Sequence, residues 1–543
     1  MKRTRTRTTR TRTTRTTTRD QKLNRGDIEI DVSEAQPTKP TTTRRTKEDL
    51  LTHEPLSCET EPVELQNLVA DYSKTYGEYV VGNRAVPDFR DGLKPVFRAA
   101  LWAMHVDNMR PGTAYKKSAR TVGNIIGKYH PHGDTAAYDS MVTIANGVMP
   151  NLIDGKGNWG SHVDNAAHYR YTECLLSKFT ETFLLDKDYL NVVPMIENFD
   201  GTEKWPLFLP ATLPIQLLIG SSGIAYGVAA STPSFKLPGV AKLVELSLKG
   251  KKITPALCKK YLVVHNRYGG ECIAEDEDYE TLYSTGKGSL RFVAEIKAPD
   301  DCKSLIVESC APGFSSQKSI DSTLEKVANL EGVASVHDQS GRGAGLYGIR
   351  YLFKLKRLSE DKYNETYDKI EKLVSGSASY DIGYIHRKID DNKFGRMSVC
   401  DFIMNWTKYR LGLERASIKY LTTVEKSKLY RQNLLLWGTD HIDDIADALK
   451  NRNVAPKVTL AKKWPDKSEE FINDILKLQV QQLAGLERAN IITKIKEIRA
   501  EIEFLKKEYL QPDLRILRTF STKISDYMKY ATKNPQKEYL GEP

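Results

Sequence analysis

The sequence lacks any apolar run near the roughly 20 residues that a membrane-spanning helix needs; its longest apolar stretches are of the size of Ile215 to Ile219. The N-terminus carries no apolar signal region. A cytoplasmic protein without a membrane partner is therefore expected. Cysteine is sparse and scattered, at positions 58, 174, 258, 272, 302, 310 and 400, with no Cys-x-x-Cys pair and no His-rich companion motif. That pattern argues against a zinc site and a disulfide framework and for reduced thiols. A Gly-x-x-x-x-Gly-Lys-Ser/Thr loop is missing, which removes the P-loop route to ATP. The run Gly343-Ala344-Gly345-Leu346-Tyr347-Gly348 fits Gly-x-Gly-x-x-Gly, but Ile349 to Leu355 reads as a strand where dinucleotide binding needs a helix, so it is read as a turn. Acids are missing before Asp20, whereas Lys2 and the arginines at 3, 5, 7, 10, 12, 15 and 19 give eight positive charges. Of the net charge of +11, eight belong to this stretch, which leaves +3 for the rest of the chain.

A segment made almost wholly of arginine and threonine cannot bury enough surface to offset ordering, and residues 1–50 are expected to be a disordered basic arm and linker. Such an arm binds phosphates in a salt-dependent, sequence-independent way; a solubilising extension is the plainer alternative. Without an amphipathic apolar face it does not read as a transit peptide. Apolar periodicity begins near Val63, so folded structure is expected from about residue 55.

What is present turns on one dipeptide, Arg170-Tyr171, in His168-Tyr169-Arg170-Tyr171-Thr172-Glu173. A phenol with a pKa of about 10 is a weak nucleophile at neutral pH, and an adjacent guanidinium favours the phenolate. The same cation can stabilise charge on a transferring phosphoryl group. Taken alone, a solvated arginine beside a packed tyrosine is the ordinary reading of such a pair.

The flanking pattern predicts helices over Pro95 to Met104, Ser118 to Ile126 and Asp134 to Ala145. The last two, joined through Lys128-Tyr129-His130-Pro131-His132-Gly133, resemble a helix-turn-helix. Residues 186–395 read as mixed α/β, with strands over Leu290 to Ile296 and Tyr347 to Leu355. Beyond Ser398 a seam of Trp406, Tyr409, Leu413, Ala416, Tyr420, Thr423, Ser427, Tyr430, Leu434 and Trp437 predicts a long helix. At 1.5 Å per residue, a helix from 401 to 437 spans roughly 55 Å. A second seam, Ile491, Ile495, Ile498, Ile502, Leu505 and Tyr509, predicts its antiparallel partner, with Trp437 to Ala489 connecting them. A stalk of this length suits a contact with a second subunit.

Several segments together resemble the DNA breakage and reunion subunit of type IIA topoisomerases, the family of the gyrase and topoisomerase IV A subunits. They are Arg84-Ala85-Val86-Pro87-Asp88-Phe89-Arg90-Asp91-Gly92-Leu93-Lys94-Pro95-Val96, Tyr115-Lys116-Lys117-Ser118-Ala119-Arg120, and Gly127-Lys128-Tyr129-His130-Pro131-His132-Gly133-Asp134. Gly157-Asn158-Trp159-Gly160-Ser161, Arg170-Tyr171-Thr172-Glu173, Glu197-Asn198-Phe199-Asp200-Gly201-Thr202-Glu203, Gly220-Ser221-Ser222-Gly223-Ile224-Ala225 and Leu486-Glu487-Arg488 follow in the family's order. The resemblance implies a mixed α/β multidomain fold. A winged-helix cleavage domain would occupy 51–185, an α/β tower domain 186–395, and an antiparallel coiled-coil stalk with a dimer gate 396–543. Because the chain stops at Pro543, no room is expected for a C-terminal DNA-wrapping domain, and relaxation or decatenation is expected in place of supercoiling. In plan it is most similar to the medium subunit of T4-like phage topoisomerases, which would place it in a bacterial host cell.

Carried over by motif, the resemblance makes Tyr171 the nucleophile that joins the 5′ end of a broken strand and Arg170 the transition-state stabiliser. Arg84, His130 and His132 would line the scissile phosphate. Lys94, Arg98, Lys117, Arg120 and Thr135 would lie along DNA, with Ile224 as an apolar wedge that intercalates and bends it. Phe97 and Ala99 stand where the family often has His and a second Arg, and Tyr169 replaces a methionine. The reaction is a transesterification that stores the cleaved bond as a phosphotyrosine. In-line displacement calls for a divalent cation, yet the acidic run Glu275-Asp276-Glu277-Asp278 reads as a solvated loop, so no metal site is assigned to this chain. The resemblance places Mg²⁺ and ATP on a large partner subunit, and the active enzyme would be a homodimer of this chain with that partner and duplex DNA. Two rival readings are a rolling-circle nuclease using His130-Pro131-His132 as a metal motif, and a winged-helix architectural protein that binds DNA without cutting it.

Overall fold

The computed structural model describes residues 64–146, 150–161, 164–225, 227–266, 269–298, 303–312, 317–341, 344, 348–388, 392–450, 454–478 and 488–534. The basic arm, the expected start near 55, most of the Gly343–Gly348 run and Leu486-Glu487 lie outside the described residues. The fold is that of the unit Leu65–Pro543.

Helix α1 (Leu65–Val80) passes through a five-residue π-helical turn, Val81–Ala85, into the Pro87–Lys94 loop. Helix α2 (Pro95–Val106) starts on proline, whose fixed φ and missing N–H suit a first helical turn. It buries Ala99, Ala100, Leu101, Ala103 and Met104. Helix α3 (Ser118–Asn124) runs into a second π-helical turn, Ile125–Tyr129, and α4 (Asp134–Asn146) follows after residues 130–133. These helices pack on a three-stranded antiparallel sheet of order β1 (Lys116–Lys117), β3 (Glu173–Leu176), β2 (Ile153–Lys156), registered by Lys116↔Cys174 and Ile153↔Leu176. The three helix expectations agree with α2, α3 and α4 to within two residues at each end.

The core beneath this sheet does not stop near residue 185. It continues through Leu217, Val240, Leu243, Tyr283 and Phe292, and takes in Val399, Phe402, Trp406, Phe520 and Tyr527. A second core of Leu305, Val307, Tyr351, Phe353, Ile370 and Val374 belongs to a separate four-stranded antiparallel sheet with its own two helices. Between them, a five-stranded sheet ends in the hairpin Ser221–Ala225/Val228–Thr232, with Ile224 opposite Ala229.

The stalk helix spans Val399–Asp440, 42 residues, capped by the Ser398 hydroxyl accepting from the Asp401 N–H; at 1.5 Å per residue that is about 63 Å. Helix Arg488–Leu510 lies antiparallel to it. Arg488 pairs with Asp440 at 2.8 Å at one end, and Arg515 with Glu414 at 2.7 Å beyond the other. The buried face is not the expected seam. Trp406, Leu413 and Leu434 are buried, but Ala416, Tyr420, Thr423, Ser427 and Tyr430 face solvent. Burial follows Arg410, Glu414, Ser417 and Ile418 instead. Hydrophobic periodicity passes over Arg410, Glu414 and Ser417, whereas in the fold Arg410 and Glu414 belong to a buried ion-paired cluster. Arg410 donates to Tyr189 Oη (2.7 Å), Tyr189 donates to Glu414 (2.8 Å), and Arg410 and Arg515 both pair with Glu414. The second seam holds from Ile491 to Leu505 and then shifts from exposed Tyr509 to buried Glu508, which Arg518 engages.

Three short helices, Ile442–Lys450, Pro456–Lys463 and Glu469–Leu476, form a separate core at the stalk's end with Leu434, Ile445, Leu460, Trp464 and Ile475. The final helix, Pro512–Lys533, does not extend the stalk. It restarts on proline and returns to the body, where Tyr527 packs edge-on against Phe179 and Phe183 (5.4 and 5.5 Å) and Lys523 meets Asp186.

Candidate active site and nucleic-acid interface

Tyr171 ends a tight turn closed by its own N–H donating to His168 O at 2.8 Å. The next residue is buried. Thr172 Oγ1 donates to Ser118 Oγ (2.8 Å), its carbonyl accepts from Ser118 N–H (3.0 Å), and Tyr138 Oη lies 2.9 Å from Thr172 Oγ1 while donating to Ala167 O (2.8 Å). Thr172 is thus fastened to α3 and α4, and the turn before it projects outward. Tyr171 is 68 % exposed, and its hydroxyl has no hydrogen-bond partner among the described residues. The Arg170 guanidinium carbon stands 5.6 Å from the Tyr171 ring centroid, with Nε 3.3 Å from His168 Nδ1.

A second group forms where the π-helical turn Val81–Ala85 meets residues 130–132. The rings of His130 and His132 stack at 4.0 Å and 13°. Burial, then the positive neighbours His132, Arg387 and Arg84, pushes the His130 imidazole down to about 4. His130 is therefore neutral at pH 7, and the same burial makes it a weaker base than a free imidazole. Arg84 is exposed and stands near enough to His130 to act on it electrostatically. The structure brings Arg84, His130 and His132 together and Arg170 and Tyr171 together. Among the described residues no hydrogen bond joins the Tyr171 hydroxyl to Arg84, His130 or His132. The two imidazoles stack nearly parallel, and among the described residues they belong to no group of three side chains that could hold a metal ion.

Sequence reasoning misses Arg387. It ends strand Gly383–Arg387, which is drawn to the Pro87–Lys94 loop by Phe89 N–H to Ile385 O (2.7 Å) and Ile385 N–H to Pro87 O (2.9 Å). Its Nη2 donates to Asn83 Oδ1 at 2.5 Å. Burial, with Arg98 nearby, lowers the guanidinium to about 10. No local pattern marks it, because its neighbours come from the far end of the chain.

Of the residues assigned to DNA, Thr135 is exposed on the first turn of α4 and Ile224 is 84 % exposed near the hairpin tip. Lys117 and Arg120 are exposed and paired with Glu173 (3.1 Å) and Asp107 (2.6 Å). Lys94 donates through Nζ to Ser222 O (2.7 Å), which ties α2 to the hairpin carrying Ile224. Arg98 is a correction. It is fully buried, with Nε on Asp91 Oδ2 (2.6 Å), Nη2 on Asp91 Oδ1 (2.9 Å) and Nη2 on Leu93 O (3.1 Å), so it braces the loop and cannot reach a phosphate. The hairpin also lies against the Val81–Ala85 turn: a Cβ on Gly223 would stand 2.0 Å from Ala85 O, so glycine is required there. The acidic run opens helix Asp276–Thr285, with Glu275 and Asp278 forming a capping box. Among the described residues, no group of three His, Cys, Asp or Glu side chains could hold a metal ion, and no helix is long and apolar enough to cross a membrane.

Comparison with known proteins decides the family: the sequence pattern of the DNA gyrase/topoisomerase IV A subunit matches residues 84–518. The chain belongs to that family. It is similar to the DNA gyrase A subunit of Leptospira biflexa, at 32 % identity over 468 residues, covering 83 % of this chain and 54 % of the relative. It is also similar to the chloroplastic/mitochondrial DNA gyrase A subunit of Nicotiana benthamiana, at 29 % over 492 residues, 88 % of this chain and 51 % of the relative. The DNA gyrase A subunit of Streptococcus pyogenes serotype M18 is 29 % identical over 487 residues, 87 % of this chain and 57 % of the relative. The chain spans about half the length of these relatives. Both residue groups of the candidate site, including Arg84, His130, His132, Arg170 and Tyr171, fall inside the matched residues.

Proposed function

We propose that this chain is the DNA-cleaving subunit of a type II, ATP-dependent DNA topoisomerase, built on a winged-helix cleavage domain, a tower domain and a coiled-coil stalk. The observation that carries this reading is the Arg170-Tyr171 turn: an exposed, unengaged phenol beside a guanidinium, on a base fastened through Thr172. The phenol oxygen attacks phosphorus, the bond to the 3′ oxygen breaks, and that oxygen leaves with a proton; the reverse attack reseals the strand. Arg84 and one histidine of the His130/His132 pair help to take the phenolic proton or hold the phosphate, and Arg170 stabilises charge on the phosphoryl oxygens. A divalent cation, when bound, stabilises the leaving oxygen. Since the described residues offer no ligand cluster for it, the reading assigns Mg²⁺, with ATP hydrolysis, to a large partner subunit.

Helix α1 fits that partnership. Leu65, Val69, Tyr72, Tyr76 and Tyr79 leave an apolar stripe exposed, and the helix leads directly to Arg84, so a protein docked there reaches the phosphate site. A double-strand break needs two copies of Tyr171, which makes a homodimer through the stalk region part of the reading. Ile224 and the hairpin bend the cut segment. Relaxation or decatenation is proposed as the outcome; the phage likeness rests on sequence architecture alone, the relatives above being bacterial and organellar. The test is Tyr171→Phe in the presence of Mg²⁺ with the partner subunit. It should bind duplex DNA as the unmodified chain does and form no covalent adduct; adduct persisting in a denaturing gel refutes the assignment.

A further inference from the structure

Tyr169 stands one residue before Arg170, and its hydroxyl donates to Asp134 Oδ2 at 2.8 Å. Asp134 opens α4, two residues after His132. This side-chain bond joins the turn that carries the nucleophile to the first residue of α4, directly after the loop that carries the histidine pair. The acceptor is well placed: a carboxylate on the first turn of a helix is favoured by the free N–H groups and the dipole. Donation from Tyr169, followed by the Thr135 N–H, holds the Asp134 carboxyl below its ordinary range, and the same bond raises the Tyr169 phenol. The Tyr169 ring is seated edge-on against Tyr138 at 5.7 Å and 71°, and lies 4.0 Å from the His168 ring.

The two ends of the turn are fixed by Tyr138, which reaches Ala167 O and Thr172 Oγ1. Between them, Tyr169 supplies the hydrogen-bonded link from residues 168–171 to α4, since among the described residues the other hydrogen bonds of this stretch, Tyr171 N–H to His168 O and Arg170 N–H and Nε to His168 Nδ1, are internal to the turn. We propose that Tyr169 is a positioning residue for strand cleavage, whose bond to Asp134 sets the Arg170-Tyr171 turn in register with the His130–His132 loop. The inference rests on the reading of Tyr171 as the nucleophile.

Three full-length variants test it with the partner subunit, Mg²⁺ and linear duplex DNA. Tyr169→Phe deletes the donor, Asp134→Ala deletes the acceptor, and Asp134→Asn keeps an acceptor oxygen. At saturating DNA, Tyr169→Phe and Asp134→Ala should form the covalent adduct about 3- to 10-fold more slowly, the range that one hydrogen bond can supply, with Kd for duplex unchanged within about two-fold. Asp134→Asn should stay within about two-fold of the unmodified chain, and the double variant Tyr169→Phe/Asp134→Ala should be no slower than either single one. Hydrogen exchange over residues 168–171 of the isolated chain should quicken in Tyr169→Phe and not in Asp134→Asn. An unaltered adduct rate in Tyr169→Phe, an Asp134→Asn loss as deep as that of Asp134→Ala, or multiplying losses in the double variant would overturn the proposal. Absence of adduct in the unmodified chain, or its survival in Tyr171→Phe, would instead remove the nucleophile reading beneath it.

Discussion

Replacing Arg98 by methionine separates two roles that the motif alone cannot distinguish. In the structure Arg98 makes two hydrogen bonds to Asp91 and one to Leu93 O, with both side chains of the pair fully buried. Asp91 also accepts from the N–H groups of Leu93 (3.0 Å) and Leu209 (2.8 Å), so this one carboxylate ties the Pro87–Lys94 loop to a strand-connecting segment more than a hundred residues away. Methionine fills much of the volume but leaves Asp91 charged, buried and without its cation. Removing one partner of such a pair costs about 3–5 kcal/mol. The expected result is a clear fall in the thermal unfolding midpoint. Affinity for duplex at a temperature where the variant is still folded should keep the unmodified dependence on salt. A phosphate contact would behave in the opposite way: the midpoint would hold, and the slope of log K against log salt would shrink by about 0.9 for one lost contact. That second pattern would refute the structural role argued for Arg98.

Other parts of the molecule make equally direct predictions. His105, His130 and His265 are each pushed from 6.5 to about 4, chiefly by burial. The unfolded chain binds protons at these sites before the folded one does, so stability should fall as pH drops from 6.5 towards 4, and His130→Gln should flatten part of that fall in a pH series of unfolding midpoints. Gly223→Ala forces a methyl group into Ala85 O, so the hairpin must lift from the Arg84 turn; bending of a duplex followed by energy transfer between its ends should decline, and undiminished bending would show that the hairpin's seat is unimportant. Deleting residues 2–19 removes eight positive charges and should reduce the salt slope of DNA binding, while an unchanged slope would make the arm a passive tail.

Local elements were largely legible because their signals are local. Pro95 starts α2, Asp134 starts α4 and Ser398 caps the stalk helix, each where the sequence pattern places it. Motif spacing likewise singled out Arg170-Tyr171 and His130-Pro131-His132 as the chemistry to examine. The stalk seam departs from its expected course for an equally plain reason: hydrophobic periodicity gives no weight to Arg410 and Glu414, which are buried against partners, Tyr189 and Arg515, that arrive from elsewhere in the chain.

By itself, the sequence determined the helices of the cleavage region, the existence of a long antiparallel stalk and the residues of family type, since these depend on side-chain period, capping and motif order. Only the tertiary structure decided that Arg98 is a buried brace, that Lys94 holds the Ile224 hairpin, that Arg387 bonds to Asn83 within electrostatic reach of His130, and that helix Pro512–Lys533 returns to the body. Each of these depends on the partner a charge or an apolar face finds across a long separation in the chain. That is settled by desolvation and packing in three dimensions, and no window of sequence contains it.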